Sequence, residues 1–134
     1  MTEKTISEIR TEGKRLKYMI TAQEVHALAV KKGWYDDPQD EDAFVERMCN
    51  NLHDEVSELH EAWRNGNLRN PCNKTVKMIA LRLKPLSCLE EELADIIIRT
   101  FDNAFHLGVD IEKAVETKHA YNRSRPPRHG GKKS

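Results

Sequence analysis

Phe44, Met48, Leu52, Val56, Leu59 and Trp63 recur at intervals of three and four along one uninterrupted stretch. A strand turns successive side chains to opposite faces, so this spacing fits a helix with one buried stripe, running from about Glu41 to Trp63. Such a stripe needs another element to cover it, and the rest of the chain offers only further helical patterns. No alternating apolar run and no internal repeat occurs. The fold class read from the sequence is all-α.

Capping and breaking residues set the helix boundaries. Thr21 with Glu24 forms a capping box that opens a helix carrying Val25, Leu28 and Ala29, stopped by Gly33. The acidic loop "DDPQDED" leads into the long helix, and "NGN" ends it. Val76, Ile79, Ala80 and Leu83 mark a short helix over residues 74 to 83, ended by "KP". Ser87 with Glu90 repeats the capping box, and Gly108 closes the helix it opens near Leu107. Asp110 caps a last helix that frays near "RPPRHGG". Residues 1–20 read as an N-terminal extension, 21–122 as the helical domain, and 123–134 as a basic C-terminal tail.

Charged residues make up 33% of the chain and aromatics 6%, which suits a helix-rich protein with a thin core completed by a second subunit. No apolar run approaches the ~20 residues that cross a bilayer. The opening "MTEKTISEIR" is unlike a signal peptide, so the expectation is a cytoplasmic protein with no membrane partner. Cys49, Cys72 and Cys88 are odd in number and form no CxxC pair, which favours three reduced, partly buried thiols over a disulfide framework or thiolate zinc site. From Lys118 onward there are six Lys/Arg and no Asp or Glu, leaving 16 basic against 22 acidic groups before it. An acidic body with a basic tail suits metal ions in one place and phosphates in another, or a disordered arm for nucleic acid.

On a wheel centred at Leu52, the long helix's apolar stripe runs from roughly −80° at Phe44 to +20° at Trp63. Trp63 is thereby read as core. Glu55 falls inside the stripe's border and Glu58 just beyond it, whereas Asp54 and Glu61 point outward. The helix "CLEEELADIIIRTFDNAFHLG" carries an apolar arc about 200° wide, broad enough to pack on two sides. Glu92 lies at the edge of that arc, with Asp95 one turn on, Arg99 nearly in line and Asn103 beside it.

Ionised carboxylates beside a dry interface are costly unless a cation or strong donors compensate them. If the two helices pack together, Glu55, Glu58, Glu92 and Asp95 converge, and four oxygen donors suit a hard divalent ion such as Mg²⁺ or Mn²⁺. Spacing alone leaves open the alternative of two amphipathic helices with solvent-facing acids paired to Arg and Lys. The last helix adds weight to the first reading. Ile111, Val115, Lys118 and Asn122 share one stripe, so the core-facing side turns hydrophilic at one end, where Arg123, Arg125, Arg128, His129 and Lys132 follow. Such groups are phosphate ligands beside a carboxylate cluster, or else a cationic helix end with a solubilising tail.

"HDEVSEL" gives Glu-x-x-Glu at 55 and 58, "EELADIIIR" gives Glu-x-x-Asp at 92 and 95, "KKGWYDD" precedes the first pair and "KHAYNRSRPPRHGGK" closes the chain. Together these motifs resemble the MazG-like, all-α nucleoside triphosphate pyrophosphohydrolases, over residues 21 to 133. The resemblance implies an antiparallel bundle of four to five helices completed by oligomerisation, as a homodimer or homotetramer. It also implies cleavage of (d)NTP between the α- and β-phosphates, giving the monophosphate and pyrophosphate, with Mg²⁺ or alternatively Mn²⁺. Carried over by position, Glu55, Glu58, Glu92 and Asp95 match the metal-ligand and catalytic motif. Lys118 and Asn122 match phosphate-proximal positions, with Arg125, His129 and Lys132 extending that role, and Trp34 is a candidate to stack on the base. The chain departs from many relatives in "VKMIALRLKPLSCLEE", which replaces a Gly-rich turn before "ELAD".

Two other readings compete. His26, His53-Asp54 and Asp102 imitate the residue order of HD-type phosphohydrolases, although Asp54 points away from the apolar side. The non-enzyme alternative is a helical interaction or nucleic-acid-binding module led by the tail; under the hydrolase reading nucleic acid is not a partner. A di-iron bundle needs two Glu-x-x-His motifs, and only Glu116-x-x-His119 is present.

Overall fold

The computed structural model describes residues 20–131 and residue 133. The N-terminal extension, apart from Ile20, and Lys132 therefore lie outside the described residues, and His129 is described by its backbone alone. The described residues form helices α1 (Ala22–Lys31), α2 (Glu41–Arg64), α3 (Thr75–Ala80), α4 (Cys88–His106), α5 (Ile111–Ser124) and α6 (Arg128–Gly131), with no strand among them. The all-α reading holds.

Local chemistry sets these boundaries much as the sequence implies. Thr21 and Ser87 each accept from the backbone N–H three residues on, while Glu24 and Glu90 reach back to the cap, completing both capping boxes. Asp40 and Asp110 cap α2 and α5 through their side chains. Gly33 ends α1 at φ +88°, where a Cβ would stand 3.0 Å from the Asp36 carboxylate. The short helix contracts from the expected 74–83 to 75–80, because Lys74 supplies no side-chain cap and the chain turns after Leu81. The last helix runs on through Ser124 before the Pro126-Pro127 pair stops it.

Helix α4 is the axis of the chain, with α1 and α2 packed along it and α5 only lightly against it. The Ala22 N–H donates to Glu112 Oε1 at 2.8 Å, tying the start of α1 to the first turn of α5. The segment between α2 and α4 folds back on itself. Leu89 N–H donates to the Leu68 carbonyl, Cys88 N–H to Asn70 and Cys72 N–H to Leu86, each at 2.9 Å. These bonds draw residues 68–72 and 86–89 into an antiparallel pair around a Pro71–Ser87 bridge, with Cys72 buried beneath it. Cys49, Cys72 and Cys88 are free thiols; Cys72 is buried and Cys88 half-buried, whereas Cys49 is exposed, against the partial burial read for all three.

The core is thin. Its buried apolar residues are Ala22, Val25, Cys72 and Ala104. The stripe on α2 splits lengthwise: Phe44, Met48 and Glu55 turn toward α4 and the cavity beside it, while Val56 and Trp63 are 52% and 61% exposed. The core placement of Trp63 is thus corrected for the single chain. It stacks on His60 and lines a shallow apolar hollow with Val56, Leu59, Leu68 and Leu89. The broad arc on α4 likewise has one covered side, and Leu93 and Ile97 on the other are 45% and 53% exposed.

Candidate metal centre

The packing of α2 on α4 brings acids from both helices together. One carboxylate oxygen from each of Glu55, Glu58 and Glu92 lies within 4.8 Å of the others. Asp95 adjoins them: its carboxyl feels the charge of Glu55, and Glu92 feels the charge of Asp95. Glu55 is buried, Glu92 and Asp95 half-buried and Glu58 exposed, so the cluster opens from the interface toward solvent.

A further acid lies near them on α4. Glu91 is buried and sits one turn before Asp95, the i,i+4 relation that aligns two side chains on one helix face. Two cations pair with acids of this region. Arg99 donates to Glu55 Oε1 and Lys74 donates to Glu91 Oε1. The excess of negative charge shows in the titration. Burial, then the charge of and hydrogen bond to Glu58, then Asp95 and Glu55, push the Glu92 carboxyl above its ordinary value. Burial and Glu55 raise Asp95, against the lowering effect of Lys74 and Arg99.

Two oxygens remain unsatisfied. Glu55 Oε2 and Glu92 Oε2 are buried with no hydrogen-bond partner. An orphaned buried carboxylate oxygen costs about 1–3 kcal/mol or more, and a bound cation could satisfy the two in this cluster. The donors are all carboxylate oxygens, which fits a hard divalent ion.

A cavity of about 510 Å³ lies between α1, α2 and α4 and reaches the cluster through Glu55 and Asp95. Trp34, Tyr35 and Phe44 supply aromatic surface, and Arg47, Asn51 and Asn103 supply polar groups. Asp102 also lines the cavity and accepts from His26 Nδ1–H at 2.9 Å. Tyr35 and Phe44 pack on His106 at 4.5 and 4.3 Å between ring centres. Burial first, then the adjacent Asp102 carboxylate, raise the Tyr35 phenol far above its ordinary pKa, with Arg47 opposing, so the phenol is a neutral hydrogen-bonding group.

The sequence-derived residues divide into two sets. Glu55, Glu58 and Glu92 meet, Asp95 lies near enough to Glu55 to feel its charge, and Trp34 lines the adjoining cavity. Lys118, Asn122 and Arg125 line no part of it. The inward orientation read for Lys118 and Asn122 is corrected within one chain: both are exposed, because α5 rests so lightly on α4 that its polar end stands clear. The Lys118 ammonium and the Arg125 guanidinium instead flank the Tyr121 ring at 4.8 and 5.4 Å. Of the HD-like set, His26 and Asp102 pair, whereas His53 and Asp54 are exposed and line no part of the cavity.

Glu91, Lys74, Asn51 and Asn103 were not singled out as site residues by sequence. Glu91 could have been found from its i,i+4 alignment with Asp95, whereas nothing local marks Lys74. No family model, curated protein or solved structure matches the chain.

Proposed function

We propose that this chain is a MazG-like nucleotide pyrophosphohydrolase, a Mg²⁺-dependent enzyme that hydrolyses (d)NTP to (d)NMP and pyrophosphate. The observation that carries the reading is the pair of buried, partnerless oxygens on Glu55 and Glu92, in a convergent carboxylate cluster at the end of an aromatic-lined cavity. Glu55, Glu58, Glu92 and Asp95 would hold the ion. A divalent ion bound there supplies charge neutralisation for a polyphosphate and acidifies a coordinated water.

The chain's own groups do the rest. Trp34 and Tyr35 offer faces for a base, and Asn51 and Asn103 offer amides to orient it. A nucleoside seated there directs its α-phosphate toward Glu55 and Asp95, the two acids that line both cavity and cluster. An acid of the cluster is placed to accept a proton from the attacking water. Attack in line with the bridging oxygen expels pyrophosphate.

The exposed apolar faces support assembly. Val56 and Trp63 on α2, with Leu93 and Ile97 on α4, form unpartnered surfaces of the kind that copies of one chain cover in a dimer or tetramer. In such an assembly the exposed Lys118 and Asn122 are free to reach a neighbouring chain's phosphates.

The test is product identification with a nucleoside triphosphate panel in Mg²⁺. Release of pyrophosphate rather than orthophosphate, abolished by Glu58→Gln at unchanged helical content, is expected. Turnover that survives Glu58→Gln but is lost in His53→Ala would favour the HD-type reading instead.

A further inference from the structure

The carboxylate cluster extends past the cavity. Glu55 and Asp95 line the cavity, whereas Glu58, Glu91 and Glu92 do not, so the acids run from the cavity outward. Lys74 lines no part of the cavity and pairs with the buried Glu91, which sits one turn before Asp95 on α4. Its position is built. The preceding Cys72 is buried and its N–H donates to Leu86, and the following Thr75 donates its hydroxyl to the Cys72 carbonyl at 2.7 Å. The Lys74 side chain is 56% exposed against 9% for Glu91, so its ammonium has room for a further acceptor.

A triphosphate with its nucleoside in the cavity and its α-phosphate at Glu55 and Asp95 places its β- and γ-phosphates outward. We propose that Lys74 is the cation that receives them, donating to the leaving pyrophosphate; this rests on the pyrophosphohydrolase reading. As the water oxygen bonds to the α-phosphorus and the Pα–O bond breaks, the electron pair stays on the bridging oxygen, and the pyrophosphate gains a negative charge. A Lys ammonium is a mobile point charge with three donors, so it can keep one bond to Glu91 while turning two toward phosphate. Arg99, the cluster's other cation, is committed to Glu55, and Lys118 and Arg125 line no part of the cavity.

Calorimetry on the full-length protein, with Mg²⁺ alone and then inorganic tripolyphosphate in saturating Mg²⁺, tests the assignment. Lys74→Met leaves Glu91 without its partner and risks instability, so the double variant Lys74→Met/Glu91→Gln, which removes both charges, is measured beside it. The expected result is Mg²⁺ binding retained in both, tripolyphosphate binding weaker by about tenfold or more, as loss of a charge-assisted bond implies, and rescue by Lys74→Arg. Wild-type binding that Lys74→Met leaves intact, or loss of Mg²⁺ and tripolyphosphate binding together, overturns it, as does a wild type that binds no tripolyphosphate. The two readings fail separately. Lys74-dependent tripolyphosphate binding without nucleotide turnover sinks the hydrolase and keeps the phosphate clamp, whereas turnover indifferent to Lys74→Met sinks the clamp alone.

Discussion

Glu55 of α2 and Glu92 of α4 each bury one carboxylate oxygen without a hydrogen-bond partner, and their ligand atoms lie within 4.8 Å of each other. Two like charges so placed repel, and the repulsion is part of what holds the Glu92 pKa up. The arrangement is unfavourable for a bare protein and favourable for one that binds a cation.

Stability without metal follows with a definite sign. A carboxyl whose folded-state pKa is raised binds more protons in the folded state, so its contribution is fully present below the unfolded pKa and is lost as pH rises through the folded value. For Glu92 and Asp95 that window opens at their ordinary values of 4.5 and 3.8 and extends upward. In chelator, Glu92→Gln should therefore melt at or above the wild-type temperature at pH 7, with the advantage shrinking toward pH 4. Thermal melts across that range check this; a Glu92→Gln protein less stable than wild type at pH 7 contradicts it.

Divalent metal should reverse the order. Mg²⁺ or Mn²⁺ raises the wild-type melting temperature by mass action on the folded state, and Glu55→Gln, Glu92→Gln and Asp95→Asn should each lose most of that rise. Calcium, larger and less demanding in geometry, should stabilise the fold without supporting turnover. Melts with and without each ion, beside an activity measurement, separate binding from chemistry.

Much of this was legible in the residues. Both capping boxes and the helix-ending role of Gly33 follow from local spacing, whereas the meeting of Glu55 and Glu58 with Glu92 was conditional on the two helices packing together. Those signals are local to one helix, and the long stripe limits how α2 can meet α4. What escaped were relations no single helix contains. The lengthwise split of the α2 stripe depends on which neighbours exist, so Trp63 satisfies the core pattern and still lies exposed. Lys118 shares a stripe with Ile111 and Val115, yet α5 barely rests on α4, and a stripe does not reveal how closely its helix is packed. Lys74 reaches Glu91 only because residues 68–72 pair with 86–89, a nonlocal backbone match with no periodic signature.

Assembly gives the next expectation. Ile97→Asp and Trp63→Asp place a charge on apolar faces that the single chain leaves open, and burying an unpaired charge in an interface is costly. Sedimentation equilibrium should show the wild type as a dimer or tetramer and at least one of these variants as a folded monomer. A monomeric wild type contradicts the expectation.

The His26–Asp102 pair joins α1 to α4 beside the cavity. Removing one partner of a partly buried, charge-assisted hydrogen bond costs about 1–3 kcal/mol. Asp102→Asn should lower stability by that order in denaturant titration and weaken nucleotide binding more than Mg²⁺ binding, because it loosens the cavity rather than the carboxylates. His53→Ala, on the exposed side of α2, should change neither.

The position of bond cleavage tests the central claim most directly. Hydrolysis of a nucleoside triphosphate in ¹⁸O-labelled water with Mg²⁺, read by mass spectrometry, should place the label in the nucleoside monophosphate and leave the pyrophosphate unlabelled, with no reaction in Glu58→Gln. Label in orthophosphate, or no turnover of any common nucleoside triphosphate with Mg²⁺ or Mn²⁺, would contradict it.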